Sequence, residues 1–147
     1  MDFADRWKYS VDRDATVVAY AQIASGYSDS CDCSGCRNFR LVREQVFPPD
    51  FIKALDALGI DPNKDGEIYY LGPTASGRHT YGGWYHFIGT LEESRTDRPP
   101  IDFGNGFTAW LQSASAPRLA SLKDKPVVQL EIQCESVPWL LDEPPPI

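Results

Sequence analysis

The sequence contains no run of three lysines or arginines, no long apolar stretch and only two histidines among its 147 residues. Without a basic run there is no electrostatic footprint for nucleic acid or for an anionic membrane surface. The longest weakly polar stretch, Ala15 to Ala24, is about half of what a membrane-spanning helix needs. The opening residues Met1-Asp2-Phe3-Ala4-Asp5-Arg6-Trp7 begin with acids and lack the basic and apolar regions of a secretory signal. A cytoplasmic, reducing setting is therefore expected, where clustered cysteines serve as ligands or redox groups rather than as disulfides. No G-x-S-x-G, H-E-x-x-H, P-loop or dinucleotide fingerprint occurs, which removes the common signatures of hydrolases, zinc proteases and nucleotide enzymes. The net charge of −7 permits a basic partner, but an acidic excess of this size is ordinary for a soluble domain.

What the chain does contain is enough apolar material for one core. Hydrophobic residues make up 42% and charged residues 24%, so residues 1–142 read as a single globular domain. The tail Glu143-Pro144-Pro145-Pro146-Ile147 is too proline-rich for a sheet and reads as extended or disordered. Ala15 to Ala24 is rich in β-branched residues and reads as a strand, and Tyr27 to Ser30 as a polar loop. From Arg37 the period becomes helical: Phe39, Val42 and Val46 share a face, and Arg37, Arg40, Arg43 and Glu44 are left for the wet side. Pro48-Pro49 ends this helix and begins a second, with Asp50 at its positive end and Phe51, Leu55 and Leu58 as its buried stripe. Gly59 suits the left-handed position that closes it. Glu67 to Leu71, Tyr81 to Leu91, Phe107 to Gln112 and Val127 to Glu135 then read as strands. Tyr81 to Leu91 is apolar on both faces and is expected to be central. In Val127 to Glu135 the residues Val128, Leu130, Ile132 and Cys134 share one face, and Gln129, Glu131, Gln133 and Glu135 the other, which is expected to be wet. Glu92 to Gly106 and Ser113 to Pro126 read as long polar loops. The fold class that results is α+β: a mainly antiparallel sheet of about five strands, with the short helical pair Arg37–Gly59 packed on one face.

Three of the four cysteines fall within Cys31-Asp32-Cys33-Ser34-Gly35-Cys36. A C-x-C pair and a C-x-x-C pair that share the middle sulfur can wrap three thiolates around one zinc ion. Cys134, His79 and His86 are the candidates for a fourth ligand, and a water there would make the geometry catalytic. A second reading is redox, with Cys33-Ser34-Gly35-Cys36 at the start of a helix. The third is a tight turn in which the thiols are only tolerated. The segment Ser30-Cys31-Asp32-Cys33-Ser34-Gly35-Cys36-Arg37 resembles the C-x-C-S-x-C-R segment of the glutathione-dependent formaldehyde-activating enzyme family. That resemblance implies a catalytic zinc on Cys31, Cys33 and Cys36. It spans eight residues, and the family's further C-x-C and C-x-x-C elements and its mostly β order have no counterpart here.

Two other constellations stand out. Asp61-Pro62-Asn63-Lys64-Asp65-Gly66-Glu67-Ile68 opens like a calcium-binding EF-hand loop, but its twelfth position is Gly72 instead of glutamate. The match fails there, and the segment reads as a helix-to-strand turn built from Asp, Pro, Asn and Gly. Arg78 to His86 sets two imidazoles among aromatics around Gly82-Gly83, a place where a ligand or a neighbouring aromatic approaches the backbone closely. His79, Tyr81, Trp84 and His86 are the candidate pocket residues, beside Cys31, Cys33, Cys36 and Cys134 as candidate metal ligands. The function expected is a small cytoplasmic binding or interaction domain whose cysteine turn can hold zinc; the alternative is a small zinc- or thiol-dependent enzyme using the Cys31–Cys36 turn. The partner is expected to be a protein or small molecule, with no nucleic acid and no membrane.

Overall fold

The strand His79–Leu91 runs through the middle of the molecule, as its two apolar faces require. In a computed structural model, residues 2–92, 98–114 and 119–146 are described. Their order is β1 (Tyr9–Val11), α1 (Arg13–Ala21), α2 (Tyr27–Ser30), α3 (Ser34–Val46), α4 (Pro49–Leu58), β2 (Glu67–Pro73), β3 (His79–Leu91), β4 (Ile101–Gly104), β5 (Phe107–Ser113) and β6 (Val127–Val137). All pairings are antiparallel. The sheet order is β1-β3-β6-β5-β4, and β2 also pairs with β3, so six strands join in one sheet whose body is a curled five-strand half-barrel. No described helix is long and apolar enough to cross a membrane.

The helical pair covers one face of this sheet, as expected. In α4, Pro49 opens the helix, Phe51, Leu55 and Leu58 are buried, and Gly59 closes it at φ 81°, a conformation that glycine adopts without strain. Phe51 meets Phe107 at 4.6 Å between ring centroids, and Phe39 of α3 meets Tyr81 at 5.4 Å. Cross-strand neighbours Tyr85, Leu130 and Leu111 continue this layer, each at most 1% exposed. Burying an aliphatic or aromatic side chain of this kind contributes about 1.5–3 kcal/mol.

Ala15 to Ala24 is not a strand. Residues Arg13–Ala21 are helical because Asp12 caps them, its carboxylate accepting from the Ala15 N–H at 3.0 Å. The buried residues Thr16, Ala19 and Tyr20 follow helical spacing, while Val17 and Val18 are exposed. Two of the β-branched side chains that suggested a strand, Val17 and Val18, therefore sit on the wet side, while Thr16 and Ile23 are buried. Four further differences are local. Tyr27–Ser30 forms a helical turn, α3 begins at Ser34 rather than Arg37, and the short strands β1 and β4 lie in stretches with no strand pattern. The segments 93–97 and 115–118 of the two expected loops lie outside the described residues, while Leu122 in the second is fully buried. Finally, Gln129 and Glu131 are buried rather than wet, because Trp84 and Trp110 flank Glu131 from the neighbouring strands and Tyr69 hydrogen-bonds it.

α1 closes a gap in the sheet. β2 pairs with β3 as far as Trp84, and β1 resumes at Gly89. Between them the strand's backbone groups find other partners. The Tyr20 hydroxyl donates to the His86 carbonyl at 2.6 Å and accepts from the His86 N–H at 3.3 Å. The Ile88 N–H donates to Thr16 Oγ1 at 3.0 Å. Two hydroxyls thus do the work of a missing strand, since buried backbone groups must be paired. Tyr20→Phe is expected to lower stability by about 1–3 kcal/mol, leaving both His86 backbone groups without that partner. Urea denaturation should show this loss and near-neutrality for Val18→Ala; equal midpoints would contradict the assignment.

Candidate metal centre

The cysteine turn is held from three sides. Asp65, fully buried just before β2, accepts from the Ser28 N–H at 3.0 Å and the Ser28 hydroxyl at 2.6 Å. The Arg43 guanidinium lies 3.7 Å from the same carboxylate and also pairs with Asp29. Burial pushes the Asp65 carboxyl above its ordinary value, and the two Ser28 hydrogen bonds act against that push. From α3, Arg40 donates to the Ser28 carbonyl at 2.5 Å and to the Cys31 carbonyl at 2.9 Å. From β3, the Tyr81 hydroxyl donates to the Gly35 carbonyl at 2.8 Å. These bonds fix α2, the turn and the start of α3 as one unit.

Within that unit the sulfurs of Cys31, Cys33 and Cys36 all lie within 4.8 Å of one another. Cys31 and Cys33 are 3.2 Å apart. Tetrahedral zinc with bonds of about 2.3 Å needs sulfurs about 3.8 Å apart, which falls inside this spread. Cys33 is exposed and caps α3, its sulfur accepting from the Cys36 N–H at 3.4 Å. Burial opposes ionisation of Cys33, but that N–H, the Gly35 N–H and the two neighbouring thiols outweigh it and hold its thiol below the ordinary value. Cys36 is pushed upward, first by burial and then by Cys31 and Cys33. A cation bound among the sulfurs would reverse the second effect.

The other candidate residues are placed differently. Cys134 is 1% exposed on the core face of β6 between Tyr81 and Phe107, and burial pushes its thiol up to about 12. It is not among the clustered sulfurs. His79 sits between Tyr70 and Trp139, its Nδ1 2.8 Å from the Tyr70 hydroxyl and its ring 5.4 Å from that of Trp139. Tyr81 reaches the turn through its hydroxyl, as above. Trp84 and His86 lie on the opposite face of β3 from Tyr81. His86 Nε2 is 3.0 Å from Gln129 Oε1, and Gln129 Nε2 is 2.5 Å from Glu131. The close approach at the glycine pair belongs to β2, because the Tyr69 ring would lie 2.4 Å from a Cβ at position 82. Asp65 in the calcium-like loop faces Ser28. Among the described residues, Cys31, Cys33 and Cys36 form the group of three or more clustered ligating side chains.

Residues that the sequence pattern did not single out also shape the centre. Asn38, fully buried, accepts from the Leu140 and Leu141 N–H groups at 2.8 and 3.2 Å. It thereby anchors the C-terminal segment, whose Glu143 pairs with Arg37 next to the turn. No family model matches this chain, and no curated protein or solved structure is significantly similar to it. The likeness at Ser30–Arg37 therefore remains a local one.

Two outcomes are expected. Asp65→Ala should cost about 3 kcal/mol or more, since Ser28 and Arg43 lose a buried partner; Asp61→Ala in the same loop should change stability little, and equal effects in urea melts would contradict the role of Asp65. The second concerns pH. Burial lowers the pKa of His86 from its ordinary 6.5, with the Gln129 hydrogen bond opposing. The unfolded chain then binds the proton more readily, so this stabilisation is present above about 6.5 and lost as pH falls through the lowered value. Unfolding midpoints should fall from neutral pH towards pH 5, and less steeply in His86→Gln.

Proposed function

We propose that the protein is a binding domain organised around one zinc ion held by Cys31, Cys33 and Cys36. The observation that carries this reading is the approach of three sulfurs to within 4.8 Å of one another on a turn pinned by buried hydrogen bonds. An all-sulfur donor set selects against calcium and magnesium, and zinc suits it without requiring redox chemistry. Cys33 faces solvent, so the fourth position is accessible to water or to a donor atom from a protein or small-molecule partner. A reducing compartment such as the cytoplasm would keep these thiols available.

Binding is preferred over catalysis because neither histidine belongs to the sulfur cluster. His79 is engaged with Tyr70, and His86 with Gln129 on the other face of the sheet. Catalysis needs acid or base groups converging on the metal. The clefts at Gln45–Arg78, Asp12–Lys125, Arg13–Lys64 and Asp2–Ala57 also carry no cysteine or histidine.

Protein purified without chelator is expected to carry about one zinc per chain by elemental analysis. Its clustered thiols should react slowly with a thiol reagent until the metal is removed. Cys33→Ser should become substoichiometric, while Cys134→Ala keeps its zinc. Metal-free protein with freely titrating thiols would refute the reading.

A further inference from the structure

Of the three clustered thiols, two are arranged for a reaction with each other. Cys31 and Cys33 are separated by one residue, their sulfurs are 3.2 Å apart, and both reach solvent: Cys33 is exposed and Cys31 half-buried. Cys36 differs. It is 3% exposed, and its sulfur is directed at the Ile68 carbonyl of β2 at 4.0 Å. Forming a bond of about 2.05 Å between Cys31 and Cys33 needs an approach of about 1 Å across an exposed turn. Cys36 also lies within 4.8 Å of Cys33, but joining these two would bond a buried sulfur in the first turn of α3 rather than two that reach solvent.

We infer that the Cys31–Cys33 pair is an oxidation site for hydroperoxides, and that its closure empties the metal centre. The second half of this inference rests on the zinc reading above. With hydrogen peroxide, the exposed Cys33 thiolate attacks one peroxide oxygen: a sulfur–oxygen bond forms, the O–O bond breaks, and hydroxide leaves (an alkoxide, later protonated to the alcohol, from an organic hydroperoxide). The Cys31 thiolate then attacks Cys33 Sγ, forming the disulfide and breaking the sulfur–oxygen bond, with a second hydroxide leaving. Two protons from solvent convert both hydroxides to water. The two sulfurs together lose two electrons, and the peroxide gains them. Zinc takes no electrons, but it loses two of its three protein ligands, and one cysteine does not hold it. A dithiol or glutathione would reverse the step by thiol–disulfide exchange. The C-x-x-C pair is not the pair that closes, although its spacing is the one usually associated with redox work.

The test uses the zinc-loaded full chain. One equivalent of hydrogen peroxide should release zinc to a chromogenic chelator in step with the loss of two of the four thiols. Alkylation after unfolding should then label Cys36 and Cys134 and spare Cys31 and Cys33. Dithiothreitol and added zinc should restore the starting state. Metal-free Cys36→Ser should still close the disulfide, whereas metal-free Cys31→Ser should stop at a Cys33 sulfenic acid that dimedone traps. A Cys33–Cys36 disulfide, a disulfide between chains, or zinc retained after peroxide would overturn the inference. A chain that carries no zinc yet closes Cys31 to Cys33 would refute the metal reading and the release step, while upholding the oxidation site.

Discussion

A carboxylate with no access to water must be matched group by group, and Asp65 is matched by α2 and α3 together. Its oxygens take the Ser28 N–H and hydroxyl, and Arg43 of α3 supplies the nearby positive charge. The Asp65 carbonyl also accepts from the Tyr27 N–H at 2.9 Å. A helix of four residues has almost no stability of its own. α2 exists in this position because Asp65 holds its first turn, and Cys31 follows directly after its last residue. That tether, together with the Arg40 hydrogen bond to the Cys31 carbonyl, sets where Cys31 lies relative to Cys33 and Cys36. The geometry of the sulfur cluster thus depends on a charge buried beside β2.

The same logic of pairing buried polar groups joins α1 to the sheet. The edge of β3 between Trp84 and Gly89 would be an unpaired strand edge if the chain offered only strands to cover it. Hydroxyls from Tyr20 and Thr16, spaced one helical turn apart, reach it instead. Lys64 donates to the Tyr20 carbonyl at 2.8 Å, which connects the end of α1 to the loop carrying Asp65. The helix that repairs the sheet edge and the carboxylate that fixes the cysteine turn are therefore close mechanical neighbours.

Elements with a redundant signal were legible in the sequence. α4 has proline at its start, glycine past its end and a stripe at helical spacing, all of which agree. β3 is apolar on both faces, and β6 alternates. α1 carries a conflicting signal, because its β-branched residues mask the cap at Asp12 and the helical spacing of Thr16, Ala19 and Tyr20. β1 and β4, with three and four residues, are too short to show a period. Of the candidate centre, the sulfurs themselves were legible because one hexapeptide carries them. Their support was not. Asp65 was hidden inside a calcium-like pattern, and Arg40 and Arg43 were assigned to the wet side of a helix. Such pairings join residues 9 to 37 positions apart, and local patterning carries no record of them.

The charge balance of the turn bears on what completes it. Arg37 and Arg40 lie on the first turns of α3, close enough in sequence to serve as counter-ions for the thiolates. Both are engaged elsewhere. Arg37 pairs with Glu143 and donates to the Asp32 carbonyl at 2.9 Å, and Arg40 donates to two carbonyls. The cluster ionises unevenly: burial first and then the neighbouring sulfurs raise Cys36, while hydrogen bonds from the Cys36 and Gly35 N–H groups and the adjoining thiols hold Cys33 below its ordinary value. A divalent cation among the sulfurs would relieve the repulsion between them. With Arg37 held by Glu143 and the Asp32 carbonyl, and Arg40 by two carbonyls, a metal ion would supply positive charge that these side chains direct largely elsewhere.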